Sequence, residues 1–282
     1  MSSVRIDTAL ADATRVLTDS ATARLDAELL LTHVLEQPRS YLFTWPERLL
    51  DDAQATAFRQ LVNRRRDGIP VAYLTGQREF WHLTLKVTEA TLIPRPDTEL
   101  LVELALDLLP GQATVKVADL GTGSGAIALA LASERPHWEV LAIDKSPEAL
   151  AVARENASCH RIANTQFLEG SWCEPLAADS MTMIVSNPPY IASADPHLKE
   201  GDVRFEPMSA LASGADGLDD IRQIARQALP CLIPGGWLLL EHGYDQGAPV
   251  RDILAHGGFT DIRTEADLAS HDRVTVARRP TV

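Results

Sequence analysis

Val115-Lys116-Val117-Ala118-Asp119-Leu120 is a mostly apolar run of strand length that passes directly into Gly121-Thr122-Gly123-Ser124-Gly125. The alanine- and leucine-rich run 126–131 follows at once. A strand, a glycine-rich turn and a helix, in that order, open a doubly wound nucleotide-binding sheet. Gly121 and Gly123 let the backbone turn tightly and approach a ligand. Amides at the start of the next helix then face whatever is bound. Gly121, Gly123 and Ala126 also satisfy the G-x-G-x-x-A spacing of dinucleotide dehydrogenases, so the turn alone leaves two cofactor classes open.

The surrounding pattern enlarges this unit. Strands are predicted near 114–119, 138–143, 164–168, 181–186, 235–241, 259–264 and 273–277, and helices near 98–109, 124–134, 147–158, 218–230 and 246–256. That alternation gives an α/β fold with an open sheet and helices on both faces. The ligand crevice of such a sheet lies at the C-terminal ends of the first, second and fourth strands. Asp119, the glycine turn, Asp144 and Asn187 all fall there. Asp144 ends Val140-Leu141-Ala142-Ile143 and can accept from both hydroxyls of a ribose. NAD and S-adenosylmethionine both carry one, so Asp144 does not choose between them.

The choice comes from Ser186-Asn187-Pro188-Pro189-Tyr190, which ends the apolar run Met181-Thr182-Met183-Ile184-Val185. A residue before proline is pushed out of the α region, so Asn187 is expected to be extended. Pro188 and Pro189 have fixed φ and no N–H. What remains is a pair of acceptors, Asn187 Oδ1 and the Pro188 carbonyl, which suits a planar –NH2. Tyr190 offers an aromatic face for a flat conjugated group. Asn-Pro-Pro-Tyr alone can be a stiff turn. Joined to the glycine turn and Asp144 it indicates methyl transfer, because hydride transfer has no use for an amine-gripping strand end.

Residues 1–75 read differently, as a small helical module with apolar residues at helical spacing in 8–17, 21–35 and 51–66. Arg64-Arg65-Arg66 fits a cationic last helical turn with Gly68 just beyond it, in preference to an RNA-contacting patch. Arg39-Ser40-Tyr41-Leu42-Phe43-Thr44-Trp45 is expected to be an aromatic connector. Residues 76–92 are expected to form a linking β-hairpin, because 78–87 partly alternates. Arg95 stands between Pro94 and Pro96, held stiffly beside the crevice, as punctuation or as a site residue. Asp97 or Thr98 is placed to cap the next helix.

Charge and cysteine usage narrow the partners. Residues 1–90 hold 11 Lys/Arg and 12 Asp/Glu of the chain's 26 and 39, leaving 15 and 27 for residues 91–282. A net −12 there is a poor match for a phosphate backbone. Cys159, Cys173 and Cys231 have no metal spacing, and neither do the histidines, so no metal site is expected. The cysteines fit a reducing cytosol. No apolar run reaches membrane-spanning length, and residues 1–12 lack the order of a signal peptide.

Asp119-Leu120-Gly121-Thr122-Gly123-Ser124-Gly125, Asp144 and Asn187-Pro188-Pro189-Tyr190 resemble a class I S-adenosylmethionine-dependent methyltransferase. Arg64-Arg65-Arg66-Asp67-Gly68, Gly76-Gln77-Arg78-Glu79-Phe80-Trp81, the stretches 93–99 and 201–207, and Glu241-His242-Gly243 resemble the bacterial peptide chain release factor glutamine N5-methyltransferases. The resemblance runs nearly end to end. It implies a seven-stranded, mostly parallel sheet in residues 93–282, and it includes the helical module, which is expected, as a further hypothesis, to be a substrate-recognition domain that grips the release factor away from its glutamine loop. It implies methylation of the glutamine amide in the Gly-Gly-Gln loop of class 1 release factors, with S-adenosylhomocysteine as product. Carried onto this sequence, Asp119, Gly121, Thr122, Gly123, Ser124 and Gly125 belong to the cofactor turn and Asp144 holds the ribose. Trp172 lies against the adenine and Asn187 borders the cofactor. Asn187, Pro188, Pro189 and Tyr190 hold the substrate amide, with Arg95 beside them; Asn187, Pro188 and Tyr190 are the catalytic set. A cytoplasmic monomer, with no direct nucleic acid and no membrane, is the expected setting. The alternative is an adenine-N6 methyltransferase acting on DNA or RNA, whose exocyclic amine is also planar and conjugated; it would need base flipping and a basic surface.

Overall fold

The structure is a computed structural model that describes residues 4–109, 111 and 115–281. The strand predicted from residue 114 and the stretch 1–12 therefore begin outside the described residues. The chain divides into two units, Met1–Gln77 and Arg78–Val282.

The first unit is helical: α1 Ile6–Val16, α2 Ala23–Leu35, α3 Arg39–Thr44, α4 Asp52–Arg66 and α5 Val71–Thr75. In α1, Ile6, Ala9, Leu10 and Ala13 repeat at the spacing of one helical face and are buried. A capping box starts α4, where Asp51 Oδ1 accepts from Gln54 N (2.8 Å) and Gln54 Oε1 accepts from Asp51 N (3.1 Å). Gly68 follows α4 at φ +99° and donates to Arg65 O, as expected of a terminating glycine. Arg65 departs from the expectation of a solvated last turn. Its side chain is largely withdrawn from solvent, at 11% exposure, and Nε meets Asp26 Oδ2 at 2.7 Å, which ties α4 to α2. The aromatic connector forms α3, and α5 lies where no helix was predicted. At five residues α5 is too short to show a period.

In the second unit, β1 Gln77–Phe80 and β2 Leu83–Lys86 form a hairpin, with β1 starting at the division. The remaining elements alternate: α6 Glu99–Leu108, β3 Lys116–Leu120, α7 Ala126–Glu134, β4 Glu139–Asp144, α8 Pro147–Cys159, β5 Thr165–Glu169 and β6 Met181–Ser186. Then come α9 Asp219–Cys231, β7 Leu232–Glu241, α10 Gly247–His256, β8 Thr260–Ala266 and β9 Asp272–Arg278. The strand order is β5-β4-β3-β6-β7-β9-β8, with β9 antiparallel to both neighbours and the other pairs parallel.

Successive residues of the central strands point to opposite faces, and both faces are apolar. Val117, Val140, Met183, Val185 and Leu239 join a core that includes α6 and α7, while Ala118, Leu141, Ile184 and Leu238 join a core that includes α9 and α10. Asn156 of α8 stitches the hairpin to the glycine turn. Its Oδ1 accepts from Lys86 N (2.7 Å), and its Nδ2 donates to Lys86 O (3.0 Å) and Ser124 O (2.9 Å). It is buried, and an apolar replacement would strand three backbone groups at about 1–3 kcal/mol each.

The order reverses at β3. The chain winds outward through β4 and β5, then returns to lay β6 on the other side of β3. The crevice opened there is where the candidate residues meet.

Candidate active site

Leu120 pairs with Ile143 on one side and Ser186 on the other, so three strands end together. Ser186 Oγ donates to Leu120 O at 2.7 Å and binds the mouths of β6 and β3 to each other. From β3 the chain turns at Gly121, whose N–H donates to Ile143 O (2.8 Å), as does that of Thr122 (2.9 Å). Gly121 has φ +69°, and a Cβ there would lie 3.3 Å from the indole of Trp172. Both the left-handed backbone and the indole above it call for glycine. Asp119, fully buried, accepts from Thr122 Oγ1 (2.6 Å) and Ala128 N (3.1 Å), so it caps α7 from within the sheet. Its Oδ1 has no hydrogen-bond partner among the described residues. Burial raises its pKa to about 7, against the Thr122 and Ala128 hydrogen bonds and with the help of nearby Asp144.

Asp144, at the end of β4, accepts from Gly123 N at Oδ2 (2.9 Å) and from Ser146 N at Oδ1 (2.9 Å). Each carboxylate oxygen keeps a further lone pair. Asp144 and Trp172 line one cleft together with Gly121, Gly123, Asn187 and Pro189. Ser124 and Gly125 lie behind it. Ser124 is buried, and Gly125 packs where a Cβ would meet Leu129 and Ala153, so both shape the turn from α7's inner side.

Asn187 leaves β6 with Nδ2 donating to Thr98 Oγ1 at 3.0 Å. Pro188 and Pro189 are buried. The Tyr190 carbonyl accepts from Gln246 Nε2 (2.9 Å), and Gly217 lies so close that a Cβ would be 2.2 Å from it. The Tyr190 hydroxyl faces Glu241 Oε1 at 3.4 Å, and burial pushes its phenol well above the ordinary range. Glu241 is itself buried, and its pKa is pushed up to about 7 by that burial, partly offset by the Thr98 hydroxyl and by Arg273.

Arg95 does not lie free. Its guanidinium meets the carboxylate of buried Glu206, whose second oxygen accepts from Ile93 N (3.0 Å). This ties the Pro94-Arg95-Pro96 loop to the segment that brings Pro207, Ser209 and Ala210 to the cleft wall. Thr98 does not cap α6, because its hydroxyl is committed to Asn187. Asp97, in the turn Pro96–Thr98, likewise makes no cap and faces Arg273 at 3.4 Å.

Sequence reasoning missed Thr98, Glu206, Gly217 and Gln246 as site-shaping residues. His242, left as a packing residue, is part of a buried relay. Its Nδ1 lies 2.9 Å from Gly243 O, and a carbonyl can only accept, so Nδ1 carries the proton and Nε2 accepts from Thr275 Oγ1 (2.8 Å). Burial lowers its pKa, in keeping with a neutral ring. Among the described residues no cluster of His, Cys, Asp and Glu could hold a metal ion, and no helix is long and apolar enough to cross a membrane.

Six strands running in one direction, the reversed β9 and a glycine turn beside an Asn-Pro-Pro-Tyr strand end define a class I methyltransferase fold. A methyltransferase from Pyrococcus furiosus shares this fold, with a TM-score of 0.54 at 14% identity, covering 79% of this chain and 98% of that one. The PrmC N-terminal domain family matches residues 8–76, and the methyltransferase small domain family matches residues 97–201. The release factor glutamine methyltransferase of Vibrio cholerae is 55% identical, covering 99% of this chain and 98% of its own. That of Escherichia coli is 49% identical over 95% and 97%. The chain belongs to the release factor glutamine methyltransferase family.

The buried carboxyl of Asp119 makes a prediction about stability. Its folded pKa lies above the ordinary aspartate value, so the native state holds a proton that the unfolded chain has lost between about pH 4 and 7. Stability from this group is complete below that window and is lost as pH rises through it. Relative to Asp119→Asn, the unaltered protein is expected to lose on the order of 4 kcal/mol across the window. Denaturant unfolding of both at several pH values measures this; parallel curves would contradict it.

Proposed function

We infer that the chain transfers a methyl group from S-adenosylmethionine to the side-chain amide nitrogen of the glutamine in the Gly-Gly-Gln loop of class 1 release factors. The observation that carries this reading is the strand end at Asn187. Thr98 takes the Asn187 amide NH2, so Oδ1 is left as its free acceptor beside the Pro188 carbonyl, with no proline N–H to compete. Two fixed acceptors match the two N–H bonds of a carboxamide.

The cleft fits the cofactor. Gly121 and Gly123 keep its floor open, Asp144 has acceptor capacity for ribose hydroxyls, and Trp172 supplies a flat apolar wall for adenine. Asp119, Thr122, Ser124 and Gly125 hold the turn that shapes it. S-adenosylmethionine, when bound, supplies a methyl group already activated by its sulfonium.

The chain's own task is to prepare the amide. A carboxamide nitrogen is a poor nucleophile because its lone pair is shared with the carbonyl. Asn187 Oδ1 and the Pro188 carbonyl each accept one N–H and fix the nitrogen's orientation. Positive charge that grows on that nitrogen is stabilised by two carbonyl dipoles already in place. Pro189 stiffens the turn and Tyr190 lies along the amide plane. Arg95, paired with Glu206, steadies the adjoining wall. No strong base is required, because the alkylated nitrogen becomes acidic and gives up its proton afterwards.

The helical module, taken as residues 1–75, holds the body of the release factor, followed by a hairpin linker at 76–92 and the methyltransferase domain at 93–282. We place the enzyme in the cytoplasm as a monomer without direct nucleic acid or membrane, a reading supported by its unpaired cysteines and acidic balance. The adenine-N6 alternative is not favoured, since relatives at 49–55% identity are named for release factor glutamine.

Mass spectrometry of a class 1 release factor, incubated with the protein and S-adenosylmethionine beside an adenine-containing oligonucleotide, is expected to find one methyl on the loop glutamine and none on adenine. Asn187→Ala is expected to lower the rate by about 10²–10³, by analogy with loss of one oxyanion-hole donor. Methyl on adenine, or a variant within about threefold of the unaltered rate, would overturn the assignment. Deletion of residues 1–75 is expected to raise the KM for the whole release factor far more than for a short Gly-Gly-Gln peptide; equal effects would remove the module from recognition.

A further inference from the structure

Glu241-His242-Gly243 stands out in the sequence, and methyl transfer as described above gives it no task. Glu241 ends β7, and Gln246 follows three residues after Gly243. Gln246 occupies the N-cap position of α10, yet its side chain does not cap the helix. Instead Oε1 accepts from Gly243 N at 2.8 Å, and Nε2 donates to Tyr190 O at 2.9 Å. A backbone N–H only donates and a backbone carbonyl only accepts, so a single orientation of the carboxamide serves both.

Gly243 is held from its other side as well. His242 Nδ1 donates to Gly243 O, and His242 Nε2 accepts from Thr275 Oγ1. Thr275 Oγ1 meets Thr264 Oγ1 at 2.9 Å, and Arg251 Nη1 donates to Thr264 Oγ1 at 2.7 Å. A chain of hydrogen bonds through β9 and β8 thus sets Gly243, Gly243 orients Gln246, and Gln246 reaches the turn after β6.

Tyr190 is met at both ends by this one segment. Its hydroxyl faces Glu241 Oε1 at 3.4 Å, longer than an ordinary O–H···O bond, so the carbonyl is the firmer hold. Gly217 makes room for that hold: it has φ +78°, and a Cβ there would lie 2.2 Å from Tyr190 O and 2.9 Å from Gln246 Nε2. Resting on the amide-methyltransferase reading above, we propose that Gln246 is a positioning residue for methyl transfer, whose side-chain amide fixes the Tyr190 carbonyl and so the ring along which the substrate amide lies. The cofactor wall does not depend on it. The excursion that brings Pro207, Ser209 and Ala210 to the cleft is closed by its own backbone bonds, Ile191 N to Leu211 O (2.9 Å), Ser213 N to Ile191 O (2.9 Å) and Ser193 N to Gly214 O (2.8 Å).

The test is single-turnover methyl transfer to the release factor, with S-adenosylmethionine affinity as the check on folding. Gln246→Met, similar in length and without either hydrogen bond, is expected to slow transfer about tenfold with cofactor affinity within about twofold of the unaltered value. Gln246→Glu, assayed at about pH 8 where a carboxylate is ionised, keeps the acceptor for Gly243 N and loses the donor for Tyr190 O. It is expected to be at least as slow. A side chain that merely closed the turn at Gly243 would leave Gln246→Glu at the unaltered rate. In a Tyr190→Ala background, Gln246→Met is expected to cost less than about twofold further, because its effect passes through the ring. Either Gln246 variant at the unaltered rate, a parallel loss of cofactor affinity, or an equal loss in both backgrounds would overturn the proposal. Full activity in Asn187→Ala would overturn the underlying amide reading instead, so the two failures are told apart.

Discussion

Two missing N–H groups organise the crevice. Pro188 and Pro189 cannot donate, so the strand end after β6 carries carbonyl acceptors with no competing proline N–H, and the proposed recognition of an amide rests on that asymmetry. The rest of the second unit serves that asymmetry. Parallel pairing with β3 on one side and β7 on the other sets the depth at which β6 stops. The Ser186 hydroxyl on Leu120 O then holds that stop against the turn at Gly121. Beyond it, Gln246 and Gly217 fix the Tyr190 carbonyl, so the turn has a defined exit as well as a defined entrance.

Burial does the electrostatic work on both flanks. Asp119 and Glu241 are carboxyls at the ends of β3 and β7, each buried and each pushed to a pKa of about 7. Isolated charges there would be costly. Asp119 is held by the Thr122 hydroxyl and the first turn of α7. Glu241 meets the Tyr190 hydroxyl and is influenced by Arg273. In the proposed reading the substrate is a neutral amide, which has little use for an exposed charge beside it.

Much of this was legible in the sequence because it is local. The strand–glycine–helix run, Asp144 and Asn-Pro-Pro-Tyr each express their structure within a few residues, and the strand ends fell together as periodicity and the switch-point rule required. What was not legible spans the chain. Thr98 and Asn187 are 89 positions apart, and Tyr190 and Glu241 are 51 apart. No spacing rule encodes such pairs. Thr98 was read as a cap because its local context asks for one, and the long-range partner won. Arg65 shows the same conflict: a basic last turn suits the helix dipole, but a buried aspartate on α2 took the side chain. Arg95 was noticed for its prolines, whereas its partner Glu206 lies 111 residues away.

The central claim is that two acceptors, and no donor, meet the substrate amide. A crystal structure of the protein with S-adenosylhomocysteine and a Gly-Gly-Gln peptide tests it most directly. The account predicts that the glutamine Nε2 lies within about 3.2 Å of both Asn187 Oδ1 and the Pro188 carbonyl oxygen, with Asn187 Nδ2 still on Thr98. A glutamine carbonyl oxygen facing a reversed Asn187 Nδ2, or an amide seated away from the strand end, would contradict it.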